Sequence, residues 1–118
     1  MTNKEFNESF RKRTMAFVVS VLKFLETVPL NTVTRVMNYQ LSKASTSVGA
    51  NFRAFCRSRS KNERFSKICI VVEEADESLY WLEIYLEMNY GNQIQLTAIT
   101  QENTEILKVV ASIKDSMY

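Results

Sequence analysis

Histidine is absent from this chain, proline occurs once as Pro29, and glycine occurs twice, as Gly49 and Gly91. The first absence removes the commonest general base and the commonest transition-metal ligand together. The scarcity of the other two argues against turn-rich β architectures, which consume both, and favours a helical bundle, which needs few. Cysteine is scarce as well, and Cys56 and Cys69 form no C-x-x-C pair. On two antiparallel helices these thiols fall at different heights, outside bridging reach, so both are expected as buried structural residues. Long hydrophobic runs are missing. The first apolar stretch, Met15–Leu25, is interrupted by Ser20 and Lys23 and is too short to span a bilayer. Lys4, Glu5 and Glu8 precede it, unlike a secretory signal. A cytoplasmic protein with no membrane partner is expected.

Acids are locally absent too. Between Arg35 and Lys67 the chain carries eight Lys or Arg and one acid, Glu63. From Ile68 onward the balance reverses, with nine acids against Lys108 and Lys114, so a formal net charge of +2 conceals a strongly polar molecule. Such asymmetry points to a polyanionic partner, or to subunits meeting basic face to acidic face. With 46% apolar residues in 118, the composition supports one folded domain with a modest core.

Hydrophobic spacing predicts four helices, at about residues 7–28, 32–57, 61–90 and 97–117, in an all-α, up-down antiparallel four-helix bundle. Phe10, Phe17, Val21, Phe24 and Val28 recur at helical spacing in the first helix, and Pro29 stops it. Met15–Leu25 is apolar on nearly every side, so this helix needs cover from more than one direction. Val33, Val36, Met37, Leu41, Ala44, Val48, Phe52 and Phe55 form the expected inward stripe of the second helix. Gly49 within it costs roughly 1 kcal/mol relative to Ala, which close helix packing would offset. Ser60-Lys61-Asn62-Glu63 has the form of a capping box and opens the third helix, with Gly91 as its stop. Ile99, Ile106, Val110, Ile113 and Met117 are the stripe of the fourth.

At about 100° per residue, Arg35, Lys43, Arg53 and Arg57 fall within roughly 80° of one another, opposite the apolar stripe of the second helix. Arg59, Lys61, Arg64 and Lys67 carry the positive charge around the following hairpin. Phosphate contacts from such a face give strongly salt-dependent binding with little base specificity. In the third helix, Phe65, Ile68, Cys69, Val72, Ala75, Leu79, Leu82 and Leu86 read as the inward stripe. Ile70, Trp81, Tyr85 and Met88 then land opposite, among Glu74 and Glu77. Aromatics and Met are favoured in interface cores, so these six residues are expected to form an oligomer interface. The run Glu73-Glu74-Ala75-Asp76-Glu77 is not read as a metal site, because di-metal bundles use E-x-x-H pairs.

Thr46-Ser47-Val48-Gly49-Ala50-Asn51-Phe52-Arg53-Ala54 resembles the helix-two signature of the bacterial four-helix bundle proteins. That family is named for proteins encoded by intervening sequences in large-subunit ribosomal RNA genes. The similarity continues through Cys56-Arg57-Ser58-Arg59-Ser60, Phe65 and Lys67. It ends in Val72-Glu73-Glu74-Ala75-Asp76-Glu77-Ser78-Leu79-Tyr80-Trp81-Leu82-Glu83, spanning about Leu41 to Glu87. The resemblance implies a barrel-like homo-oligomer, specifically a homopentamer. A related group, the accessory variability determinants of diversity-generating retroelements, binds nucleic acid beside a reverse transcriptase, so such an enzyme is a further implied partner. Where the commoner branch has Asn-Ile-Ala-Glu-Gly, this chain has Asn51-Phe52-Arg53-Ala54-Phe55, so the acid and glycine of that branch carry no role here.

These observations lead to an expected function: a non-enzymatic, homo-oligomeric RNA- or DNA-binding protein without cofactor. Arg53, Arg57 and Arg59 are the principal phosphate contacts, and Lys43, Arg35, Lys61, Arg64 and Lys67 support them. The alternative is an assembly scaffold whose bases meet Glu73, Glu74 and Glu77 of a neighbouring subunit. Catalysis is not expected, since Ser45 and Ser47 have no histidine to activate them and no Gly-rich phosphate loop exists.

Overall fold

The computed structural model describes residues 2–117 as four helices, α1 Asn3–Leu25, α2 Thr32–Cys56, α3 Lys61–Met88 and α4 Gln93–Ser116, with no strand among them. Each packs on its neighbours in chain order and α4 closes back on α1, in a rod of 44 × 25 × 19 Å. No helix among the described residues is long and apolar enough to cross a membrane.

Short polar caps set the helix starts. The Thr2 side chain accepts from the Glu5 N–H, so α1 begins earlier than the expected start near Asn7. Asn92 accepts from the Gln95 N–H and likewise opens α4 ahead of Thr97, while its own N–H donates to Thr27 Oγ1 at 2.9 Å. That bond ties the α3–α4 turn to the α1–α2 turn. Asn31 and Thr34 form a reciprocal capping box at α2. At α3 only half of the expected box forms: Ser60 Oγ accepts from the Glu63 N–H, and the Glu63 carboxylate accepts from the Arg59 N–H instead.

The core is rich in phenylalanine. Phe10 meets Phe52 edge-on with centroids 5.0 Å apart, and Phe24 meets Tyr85 edge-on at 5.5 Å across the bundle. Asn103 on α4 donates its amide to the Ala75 carbonyl at 2.9 Å, pinning α4 to α3. Close helix approach accounts for Gly49, because a Cβ there would lie 3.0 Å from Val18 Cγ2 on α1. Two residues expected in the α2 core are exposed instead: Val33 at 53% and Val36 at 59%. Thr34 takes the inward position between them, its hydroxyl donating to the Pro29 carbonyl at 2.7 Å and accepting from the Asn31 N–H. Cys56 and Cys69 are free thiols, half-buried rather than fully buried.

Asn89, in the left-handed region, caps α3, and Gly91 follows at φ +77°. A Cβ on Gly91 would sit 2.7 Å from Phe24 Cε1 and 3.0 Å from Val28 Cγ2, both on buried side chains. Gly91→Ala therefore combines left-handed strain with overpacking, and its expected cost is roughly 2–4 kcal/mol. A lower urea midpoint at unchanged slope is the expected result; a midpoint equal to wild type contradicts it.

Candidate nucleic-acid interface

The N-terminal cap at Asn31 and the buried set Met37, Leu41, Ala44, Val48, Phe52 and Phe55 fix the rotation of α2. The opposite side of the helix is thereby turned outward. Arg35, Lys43, Arg53 and Arg57 all lie exposed on it. Tyr39, one turn from both Arg35 and Lys43, stands 63% exposed in the same line. Sequence reasoning missed Tyr39, although its i, i+4 spacing from the two cations carried the signal.

Arg53, Arg57 and Lys67 share a shallow groove of about 410 Å³ between α2 and α3, with Ala50 and Ala54 on the helix surface between them and Glu63 as its one acid. The small alanines let an extended anionic chain approach the helix closely. Lys67 is half-buried. The remaining hairpin cations are directed elsewhere. Arg59, Lys61 and Arg64 gather at the end of the bundle beside Ser116 and Met117. The Arg64 guanidinium carbon lies 5.1 Å from the centroid of the Phe55 ring. The eight expected bases thus divide into a stripe along α2 and a cluster at the hairpin end.

None of these eight cations has an ion pair among the described residues; the ion pairs present join Arg13 to Glu102 at 2.7 Å and to Glu105 at 3.7 Å, on α1 and α4. Among the described residues the stripe thus has acids nearby, Glu63 in the groove and Glu74 near Lys43, but no direct ion pair that a phosphate must displace. Among the described residues, no group of three Cys, Asp or Glu converges as a metal site would require.

The expected interface residues on α3 separate. Glu77 and Met88 are exposed, and Ile70, Glu74 and Trp81 are half-buried at the flank of the helix. Tyr85 is not a surface residue: it is 0% exposed, and its hydroxyl donates to Asn38 Oδ1 at 2.5 Å. The inward set of α3 is Ile68, Val71, Ala75, Ser78, Leu82 and Tyr85. Apolar residues run almost all the way around this helix, so a hydrophobicity wheel has no strong direction. Buried Ser78 and Ala75 weaken the true face further. Trp81 packs against the core, edge-on to exposed Tyr80 at 5.4 Å, with its Nε1 buried and without a protein partner.

Partial burial and adjacent Glu77 push the Glu74 carboxyl above the usual range, against the opposing pull of Lys43. A carboxyl raised in the folded state leaves stability intact below its unfolded value and subtracts from it as pH rises from there through the folded value, above which the full penalty remains. Glu74→Gln is therefore expected to melt slightly above wild type at neutral pH, with the difference vanishing in acid. A variant that melts below wild type at neutral pH contradicts this reading.

The arrangement can be set beside known proteins. The family model described as 23S rRNA-intervening sequence protein matches residues 7–112. A crystal structure of a protein of unknown function from the S23 ribosomal protein family, from Bacteroides thetaiotaomicron, shares 28% sequence identity. The match covers 92% of this chain and 97% of that one, with a TM-score of 0.80. No curated protein matches. The matched segment takes in most of α1 and α4 together with all of α2 and α3, and hence the entire basic stripe. The chain belongs to the 23S rRNA-intervening sequence protein family.

Proposed function

We propose that this protein is a non-enzymatic, cytoplasmic RNA-binding protein that holds a single strand along α2. The observation carrying this reading is the line Arg35, Tyr39, Lys43, Arg53 and Arg57, exposed together and without an ion pair among the described residues. Guanidinium and ammonium groups spaced along the rod neutralise successive phosphates, and Tyr39 offers a ring on which a base stacks. A single strand can present both its backbone and an open base to such a line, whereas a duplex keeps its bases stacked internally.

Self-association belongs to the same proposal. Met15, Val19 and Leu22 are 52%, 41% and 40% exposed on α1, and Val33, Val36 and Met88 add apolar surface at one end of α2 and α3. These side chains supply the second cover that the all-round apolar α1 requires. Copies joined through them, in a pentamer as the family resemblance implies, would repeat the stripe and convert weak single contacts into avidity.

Fluorescence anisotropy with a labelled single-stranded RNA at low salt tests the binding, and absence of any binding there rejects it. A scaffold reading draws support from Glu73, Glu74 and Glu77, which also have no ion pair among the described residues. If neighbouring subunits pair these acids with the stripe, Arg57→Glu lowers the mass in light scattering. If the stripe faces RNA, the same variant keeps its mass and loses binding.

A further inference from the structure

A second basic site lies at the end of the bundle, where the first turns of α1 meet the α2–α3 hairpin. It is a cleft of about 570 Å³, within the size range of small-ligand pockets. Lys4, Arg11, Arg57 and Arg64 line it from three different segments of the fold, against one acid among the described residues, Glu8. None of the four cations has an ion pair among the described residues. Arg64 is steadied by the Phe55 ring. Cys56 forms part of the wall, its thiol 3.7 Å from the Asn7 carbonyl oxygen. Burial pushes the Cys56 thiol up overall, while the charges of Arg11, Arg64 and Arg57 pull against it. Arg11, Arg57 and Arg64 thus border one small volume from three segments, in contrast to the linear spacing along α2.

Convergent cations suit a compact, multiply charged anion better than a chain of singly charged diesters. A phosphate monoester carries about −1.5 to −2 at neutral pH and three strong acceptor oxygens. Guanidinium pairs bind such a group through charge-assisted bonds. We propose that this cleft binds a phosphate monoester, and that the occupant is the terminal phosphate of an RNA strand whose body lies along the stripe. Arg57, which borders both the cleft and the α2 groove, is the link between them. The strand-end part of this assignment rests on the RNA reading above; the monoester part does not.

The test compares one short single-stranded RNA with a phosphate at its 5′ end, at its 3′ end, or at neither. A terminal phosphate at one end should tighten binding about tenfold, and Arg11→Gln should abolish that gain while holding the unphosphorylated RNA within about twofold of wild type. The phosphorylated RNA should also slow alkylation of Cys56 by N-ethylmaleimide, with Cys69 as the internal reference. Equal affinity for all three RNAs overturns the proposal. Protection of Cys56 by adenosine 5′-monophosphate at the same concentration as the phosphorylated RNA would overturn the strand-end assignment in favour of a free nucleotide. If no RNA binds at all, the stripe reading fails by itself. Adenosine 5′-monophosphate then decides the cleft: protection of Cys56 upholds a monoester site, and no protection removes it.

Discussion

Alanine at Arg53, Arg57 and Arg59 together is expected to weaken binding of single-stranded RNA by roughly 30-fold at low salt. Each arginine is exposed, so its phosphate contact is screened and contributes about 1 kcal/mol, below the usual range for charge-assisted bonds. Two such losses, at Arg53 and Arg57, amount to about 2 kcal/mol, which is roughly 30-fold in affinity. The loss should not be shared equally. Arg53 and Arg57 stand in the α2 groove, while Arg59 belongs to the hairpin-end cluster. The Arg53/Arg57 double variant should therefore account for most of the effect, and Arg59→Ala alone for little. All three side chains are exposed, so helicity and melting temperature should stay close to wild type. Anisotropy titrations, with circular dichroism as the folding control, provide the measurement. Wild-type affinity in a folded triple variant contradicts the account.

Tyr85→Ala is expected to cost 3–5 kcal/mol of folding stability, about the loss for a large buried aromatic. Natural domains of this size are stable by about 5–15 kcal/mol, so this single change removes a large share. The reason lies in the packing around the ring. Phe24 meets it at 5.5 Å, Tyr90 meets it at 6.4 Å, and the side chain has no solvent exposure. Tyr85→Phe retains the ring and loses only the bond to Asn38, at a cost of about 1 kcal/mol. Because Asn38 is half-buried, water can take up part of the loss. An interface residue behaves differently: truncation would lower the mass of the assembly and leave the fold of each copy within about 0.5 kcal/mol. Urea denaturation at fixed protein concentration, paired with light scattering, separates the two. A stable but smaller Tyr85→Ala protein contradicts the core assignment.

The four helices were legible because their punctuation is chemical. Pro29 and Gly91 lie just beyond the ends of α1 and α3 and Ser60 caps the start of α3, although the left-handed cap that ends α3 is Asn89. Two further starts were equally available: Thr2-x-x-Glu5 and Asn92-x-x-Gln95 place a cap acceptor three residues before the N–H that it receives. They went unread because no apolar run follows at once. The facing of α3 was not legible, since half-buried Ile70, Trp81 and Ile84 and exposed Met88 extend its apolar surface well beyond the inner side. Val33 and Val36 misled for a related reason. Their spacing fits the core, but Thr34 between them is buried with its hydroxyl satisfied, which spacing alone does not disclose.

The candidate site was legible to the extent that it lies on one helix. Arg35, Lys43, Arg53 and Arg57 share an arc that 100° arithmetic finds. The separation of Arg59, Lys61 and Arg64 from that arc depends on how the hairpin turns, and the cleft depends on where the start of α1 comes to rest. Both are properties of the packed bundle and lie outside any single-helix projection.

The central claim is that the cations along α2 are open to phosphates, and the salt dependence of binding tests it most directly. Each phosphate neutralised on a single strand contributes about −0.7 to the slope of log affinity against log salt concentration. With Arg35, Lys43, Arg53 and Arg57 engaged, the wild-type slope for single-stranded RNA should be about −3 per protomer, falling to about −1.5 for the Arg53/Arg57 alanine variant. A slope near zero, or one that the variant leaves unchanged, would contradict it.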